Sequence, residues 1–114
     1  MDPHGKDEIQ LSDQEAWVIK TLIDTGPSHG FELRRNFNEL TGRSLSTATS
    51  YRILHRLEEA GLLESYWEQD GISHQGPRRR YYEVCSIAER VLKRHAEELA
   101  RRSTGLLTPG FEGR

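Results

Sequence analysis

Two clusters in this sequence have the residue types that grip phosphates and read base edges. The segment from Arg43 to Arg56 holds Arg43, Arg52 and Arg56 with no acid among them, beside the hydroxyls of Ser46, Thr47, Thr49 and Ser50. Further on, Arg78, Arg79 and Arg80 stand in consecutive positions. Hydroxyls at a helix start can hold a phosphate together with the free N–H groups there, and a guanidinium can reach a phosphate or the O6/N7 edge of guanine. The competing reading of the first cluster is a solvated helix face. For the arginine triplet it is surface pairing with Glu64 or Glu68, worth only about 0–1 kcal/mol per pair. Two such patches in one short chain favour nucleic acid.

Other chemistries find less support. The chain has five histidines and the single cysteine Cys85, and His74, Cys85 and His95 could in principle converge. The sequence lacks C-x-x-C, H-x-x-x-H and H-E-x-x-H spacings, so no metal site is expected. Cys85 is expected to pack at a strand–helix junction, with redox sensing as the alternative. Nothing resembles a catalytic triad, a phosphate-binding glycine loop or a convergent carboxylate pair. The sequence therefore reads as a non-enzyme without a cofactor.

The elements that must position the two clusters follow from periodicity and punctuation. Ser12-Asp13-Gln14-Glu15 has the spacing of a capping box, in which a hydroxyl and a carboxylate each satisfy a free N–H at a helix start. It opens a helix over 13–24 whose Ala16, Ile19, Leu22 and Ile23 form a buried stripe, with Trp17 and Val18 at its flank. Gly26-Pro27 ends it. Ser28 is the expected cap of a second helix over 29–41, with Leu33, Phe37 and Leu40 facing inward and Gly42 as its stop. Ser46 is the expected cap of a third helix, in which Ala48, Tyr51, Leu54 and Leu57 are read as buried. That leaves Thr47, Thr49, Ser50, Arg52, His55 and Arg56 to solvent.

After Gly61, residues 62–68 and 79–84 turn to strand character around a polar loop, which reads as a β-hairpin with an extended tip. Three helices followed by such a hairpin make a winged helix-turn-helix: a mainly α fold with a small β-hairpin. A last helix over 86–103 carries Ile87, Val91, Leu92, His95 and Leu99 as a seam that must meet either the chain's own core or another copy. The expected organisation is a flexible arm (1–10), the winged helix-turn-helix (11–84), a dimerisation helix (85–104) and a flexible tail (105–114).

Composition sets bounds. With 114 residues, 34% of them hydrophobic, the chain is one lean domain that a second copy would help to bury. No run of about 18–20 apolar residues is present to span a bilayer, and the N-terminus has no signal- or transit-peptide character. A cytoplasmic protein without a membrane partner is expected, and one cysteine permits no intramolecular disulfide. The net charge of −2 conceals an acidic first 24 residues and the two basic patches, and local patches are what a nucleic-acid footprint is judged by.

Three segments in order, Ser28-His29-Gly30-Phe31-Glu32-Leu33, then 48–65 running from Ala48-Thr49-Ser50-Tyr51-Arg52, then Gly76-Pro77-Arg78-Arg79-Arg80-Tyr81-Tyr82, resemble the PadR family of bacterial transcriptional regulators. The resemblance covers roughly residues 11–100 and implies a winged-helix dimer of the small subfamily with a single C-terminal dimerisation helix. It adds His29, Gly30 and Tyr51 to the candidate DNA contacts. Phe31, Ser50 and Arg52 stand where the family more often has tyrosine, leucine, and proline or threonine; Cys85 and Ala88 replace its common threonine and glycine. The last helix lacks the tryptophan on which drug-sensing members stack planar ligands. Trp17, Ile87, Val91, Leu92, His95 and Leu99 are the candidate dimer contacts. The combined expectation is a homodimeric repressor that binds a palindromic double-stranded DNA operator and is released by a small-molecule effector of unknown identity. The rival expectations are a winged-helix module that binds another protein, and a metal- or redox-responsive repressor of the same fold.

Overall fold

The computed structural model describes residues 9–69 and 77–112, with side chains as far as residue 103. Residues 1–8 of the expected arm over 1–10, the hairpin tip over 70–76 with His74, and residues 113–114 lie outside the described residues. Four helices and three short strands follow in the order α1 (Asp13–Thr25), β1 (Ser28–His29), α2 (Gly30–Thr41), α3 (Thr47–Glu59), β2 (Leu63–Trp67), β3 (Arg80–Val84) and α4 (Ser86–Glu112). The fold is the expected winged helix-turn-helix with a long C-terminal helix.

Both hydrogen bonds of the expected capping box open α1. The Ser12 hydroxyl accepts from the Glu15 N–H at 3.1 Å, and the Glu15 carboxylate accepts from the Ser12 N–H at 2.9 Å. Gly26, at φ +83°, ends the helix in a conformation that a side chain would strain. Val18 proves to be fully buried alongside Ala16, Ile19 and Leu22, while Trp17 is the residue left at the flank. At the far end of α3 the Leu62 N–H reaches the Leu57 carbonyl and the Gly61 N–H the Glu58 carbonyl, the double bond of a Schellman stop. Leu57 and Leu62 are both fully buried beside it.

The second helix begins one residue later than its spacing predicts. Ser28 is a strand residue, paired with Tyr82, and His29, paired with Tyr81, is the N-cap. A two-residue strand has no periodicity of its own; its partner strand defines it. The sheet order is β1-β3-β2, with β2 and β3 forming the hairpin from Leu63↔Val84 to Trp67↔Arg80. On α2, Leu33 and Phe37 are buried but Leu40 is exposed.

The inner face of α3 also differs from its expected one. Ser50, Ile53, Leu54 and Leu57 are buried, whereas Ala48 and Tyr51 are exposed. Positions three apart drift steadily around a helix that turns about 100° per residue, so a strict i, i+3 series leaves the core after two steps. The i, i+3, i+4, i+7 series from Ser50 stays on it. A hydroxyl is tolerated there because Ser50 donates to the Thr47 carbonyl at 2.7 Å and accepts from the Arg34 guanidinium at 3.3 Å. The core joins Ile19, Leu22, Leu33, Phe37, Leu54 and Leu57 to Ala88 and Val91 of α4. Burying each such leucine or phenylalanine contributes about 1.5–3 kcal/mol. Val91, expected in the dimer seam, is 1% exposed and belongs to the chain's own core.

The helix α4 continues to Glu112, through Gly105 and Pro109, where the sequence reading ends it and begins a tail. Pro109 has no N–H to add to the helix and Gly105 is a weak helix former, so the extension runs against both local preferences.

Candidate nucleic-acid interface

Ser46 caps α3 as expected, its hydroxyl accepting from the Thr49 N–H at 3.0 Å. With Ser50, Ile53 and Leu57 turned inward, the outer face is Ala48, Tyr51, Arg52 and His55, four exposed residues at helical spacing with Thr47 beside them. His55 is exposed and lies 3.3 Å from the Glu59 carboxylate. Arg52 is exposed as well, and among the described residues no ion pair to it is found.

The start of α2 closes against this face. A Cβ on Gly30 would come within 3.1 Å of the Tyr51 hydroxyl and 3.3 Å of the Arg34 guanidinium, so glycine is what permits the contact. The phenol, the guanidinium and the first turn of α2 thereby gather in one place, and the positive end of a helix dipole favours an anion. Arg35 lies over the exposed ring of Phe31, 5.8 Å from its centre. Neither Arg34 nor Arg35 stands out in the sequence; the signal for Arg34 is its place one turn after Gly30, on the side that meets α3.

His29 organises the foot of the wing. Its Nδ1 accepts from the Glu32 N–H at 3.4 Å, and the Glu32 carboxylate accepts from the His29 N–H at 3.3 Å. The ring meets Tyr81 edge-on at 5.4 Å, and Tyr81 stacks on Tyr66 at 5.8 Å. Burial lowers the His29 pKa below the usual 6.5; Glu32 and Glu68 oppose the shift and Arg79 and Arg35 add to it. Burial likewise raises the Tyr82 phenol, against the pull of Arg80.

Of the arginine triplet, Arg78 and Arg79 are exposed and Arg80 is half-buried. Arg80 is anchored within the protein: it donates to the Ser65 hydroxyl at 3.0 and 2.7 Å and lies 3.7 Å from Glu58 of α3. Its ion-pair partner is Glu58. Trp67, half-exposed, has the guanidinium of Arg80 at 5.2 Å and that of Arg78 at 6.0 Å from its ring, distances at which a cation is attracted to the ring face.

The remaining candidates fall elsewhere. Arg56 is tied to Glu15 of α1 at 2.7 Å and to the Gln10 carbonyl at 3.3 Å. Ser50 is fully buried and cannot meet a ligand. Thr49 is half-buried. Arg43 lines, with Asp13 and Trp17, a cavity of about 280 Å³ between α1 and the end of α2.

A second surface lies between α1 and α4. Ala16, Trp17, Ile23, Leu92, His95 and Leu99 line a groove of about 490 Å³. Trp17 and Leu99 remain 44% and 40% exposed there, and His95 reaches across to within 3.4 Å of Asp13. Ile87 packs partly against the core. Cys85 sits at the β3–α4 junction, as expected, its N–H bonded to the Leu62 carbonyl. Among the described residues no group of His, Cys, Asp and Glu could hold a metal ion, and no helix is long and apolar enough to cross a membrane.

Residues 18–94 match the family model described as the transcriptional regulator PadR-like family. No curated protein matches the chain. Among solved structures, a PadR family transcriptional regulator from Eggerthella lenta is 26% identical, with a TM-score of 0.68 over 81% of this chain and 76% of its own. The same fold appears in a transcriptional regulator from Clostridium thermocellum, with a TM-score of 0.69 at 24% identity over 86% of this chain and 95% of its own. It appears again in a PadR family regulator from Clostridium difficile, with a TM-score of 0.65 at 20% identity over 88% of this chain and 98% of its own.

Proposed function

The chain belongs to the PadR-like family of transcriptional regulators, non-enzymatic DNA-binding proteins, and from that premise we propose that it is a homodimeric repressor of a palindromic operator. The observation that carries this reading is the outer face of α3: Tyr51 and Arg52 are exposed on a capped helix, next to the start of α2. Tyr51, Arg52, Thr47 and Ser46 are the residues for the major groove. His29 and Gly30 sit at the helix start beneath Tyr51, and Arg78 and Arg79 serve flanking phosphates. Two copies would join through the α1–α4 groove, with Trp17, Leu92, His95 and Leu99 at the contact. Two-fold symmetry then sets half-sites about one helical turn, ~34 Å, apart. A small-molecule effector that changes the packing at this contact would release the operator, in a cytoplasmic protein with no membrane partner.

The test is binding to the DNA upstream of its own coding sequence, across a salt series, against a scrambled duplex of equal length. A repressor prefers the promoter and loses affinity steeply with salt, because each neutralised phosphate releases counterions. Equally weak binding to both duplexes contradicts autoregulation and favours a protein-binding module built on the same fold.

A further inference from the structure

His29 is an unusual N-cap. Serine, threonine, aspartate and asparagine normally fill that position, with an oxygen that accepts at any ordinary pH. An imidazole Nδ1 accepts only while it carries no proton. The 3.5 Å approach of Nε2 to the Glu32 carboxylate fits the tautomer with its proton on Nε2. This ring does more than finish a helix. Its backbone pairs with Tyr81 of the wing strand, its side chain closes α2, and the next residue, Gly30, is the floor on which Tyr51 of the reading helix rests.

We infer that His29 is a positioning residue of the DNA interface, whose unprotonated Nδ1 holds the start of α2 against the wing, so that acidification releases the operator. The inference rests on the DNA-binding reading above. Every element around the ring supplies a charged or titratable group: Glu32 and Arg35 from α2, Glu68 from the end of β2, Arg79 and Tyr81 from the wing strand and its approach. The two carboxylates favour a proton on His29 and the two arginines oppose it, while burial at 8% exposure decides for the neutral ring. A group whose pKa is lower in the folded state stabilises the fold fully above its unfolded value. That contribution is lost as pH falls from about 6.5 toward the lower folded value. A histidine that instead touched a phosphate would act in the opposite sense, binding DNA more tightly in acid.

The experiment uses the promoter duplex at constant ionic strength, from about pH 8 down to about pH 5.5, the range in which histidine titrates. Binding is followed by fluorescence anisotropy for the wild type, His29→Asn and His29→Ala, and thermal unfolding of each is followed without DNA. Wild-type affinity should fall roughly threefold to tenfold below about pH 6.5, the size expected for losing an N-cap. Asparagine restores an acceptor that does not titrate, so the affinity of His29→Asn should be as high in acid as it is near pH 8. His29→Ala should bind more weakly at every pH. The wild type should also lose melting temperature relative to His29→Asn below about pH 6.5. The other histidines are common to all three proteins, so they cancel in the comparison. Affinity that rises on acidification, or a His29→Asn profile parallel to the wild type, overturns the inference. Failure to bind the promoter near pH 8 defeats the operator reading itself, and the unfolding comparison still decides whether the cap depends on a neutral ring.

Discussion

The helices α3 and α4 are both amphipathic, and among the described residues only α3 has its apolar stripe closed. On α3 the inward residues Ser50, Ile53, Leu54 and Leu57 are all at most 4% exposed, and the outward face is polar apart from Ala48 and Tyr51. On α4 the stripe begins buried at Ala88 and Val91, is half-covered at Leu92 and ends 40% exposed at Leu99. Periodicity gives the direction of a face and is silent about what covers it. The α3 face is covered by its own chain and offers charge and hydroxyl to a ligand. The far half of the α4 face, with Trp17 opposite, offers apolar area, and a second copy is what the proposed function sets there.

The largest test of this contrast is in the closed region. Leu54→Ala removes a fully buried side chain and should cost about 2–5 kcal/mol of stability, read as a shifted denaturant midpoint. Leu99→Ala, on the open end of α4, should shift that midpoint far less at concentrations where the chain is a monomer. Equal losses from the two would erase the distinction.

Next in size is the contact between copies. Leu99→Asp puts a charge into the apolar groove while leaving the core intact, and a central contact of this kind is worth roughly 2 kcal/mol. The dissociation constant of the dimer should rise about thirtyfold by sedimentation equilibrium, and promoter affinity should fall with it. A variant that stays dimeric would remove the α1–α4 groove from the interface.

Much of this was legible from the residues. Ser12 with Glu15, Ser46, and the glycines at 26, 42 and 61 punctuate the helices where the sequence has them, because caps and left-handed turns are local chemistry. The three-segment resemblance leads to the family that the match over 18–94 bears out. What was not legible depends on partners distant in sequence. Ser28 is a better cap by type than His29, yet its backbone is claimed by Tyr82. Arg80 alternates with Arg79 as a strand residue should, but its guanidinium is held by Ser65 and Glu58 from another turn of the chain. Ser50 looks like a DNA contact until the register of α3 turns it inward, and only then does Arg34 become visible as its partner.

The smallest test separates two arginines on one helix, a turn apart and indistinguishable by type. Arg52 is exposed on the outer face, and Arg52→Ala should leave stability unchanged while costing about 1–3 kcal/mol of operator affinity with relaxed preference at one base position. Arg56 instead binds Glu15, a carboxylate only 11% exposed that also caps α1 through Ser12. Its own side chain is 47% exposed, so solvent screens much of the attraction and the pair is worth at most about 1 kcal/mol. Arg56→Ala should therefore lower the melting temperature by a few degrees and lower affinity for promoter and scrambled duplex by the same small factor. A loss of base preference in Arg56→Ala equal to that in Arg52→Ala would mean that the ion pair to Glu15 opens on DNA, and that both arginines belong to the reading face.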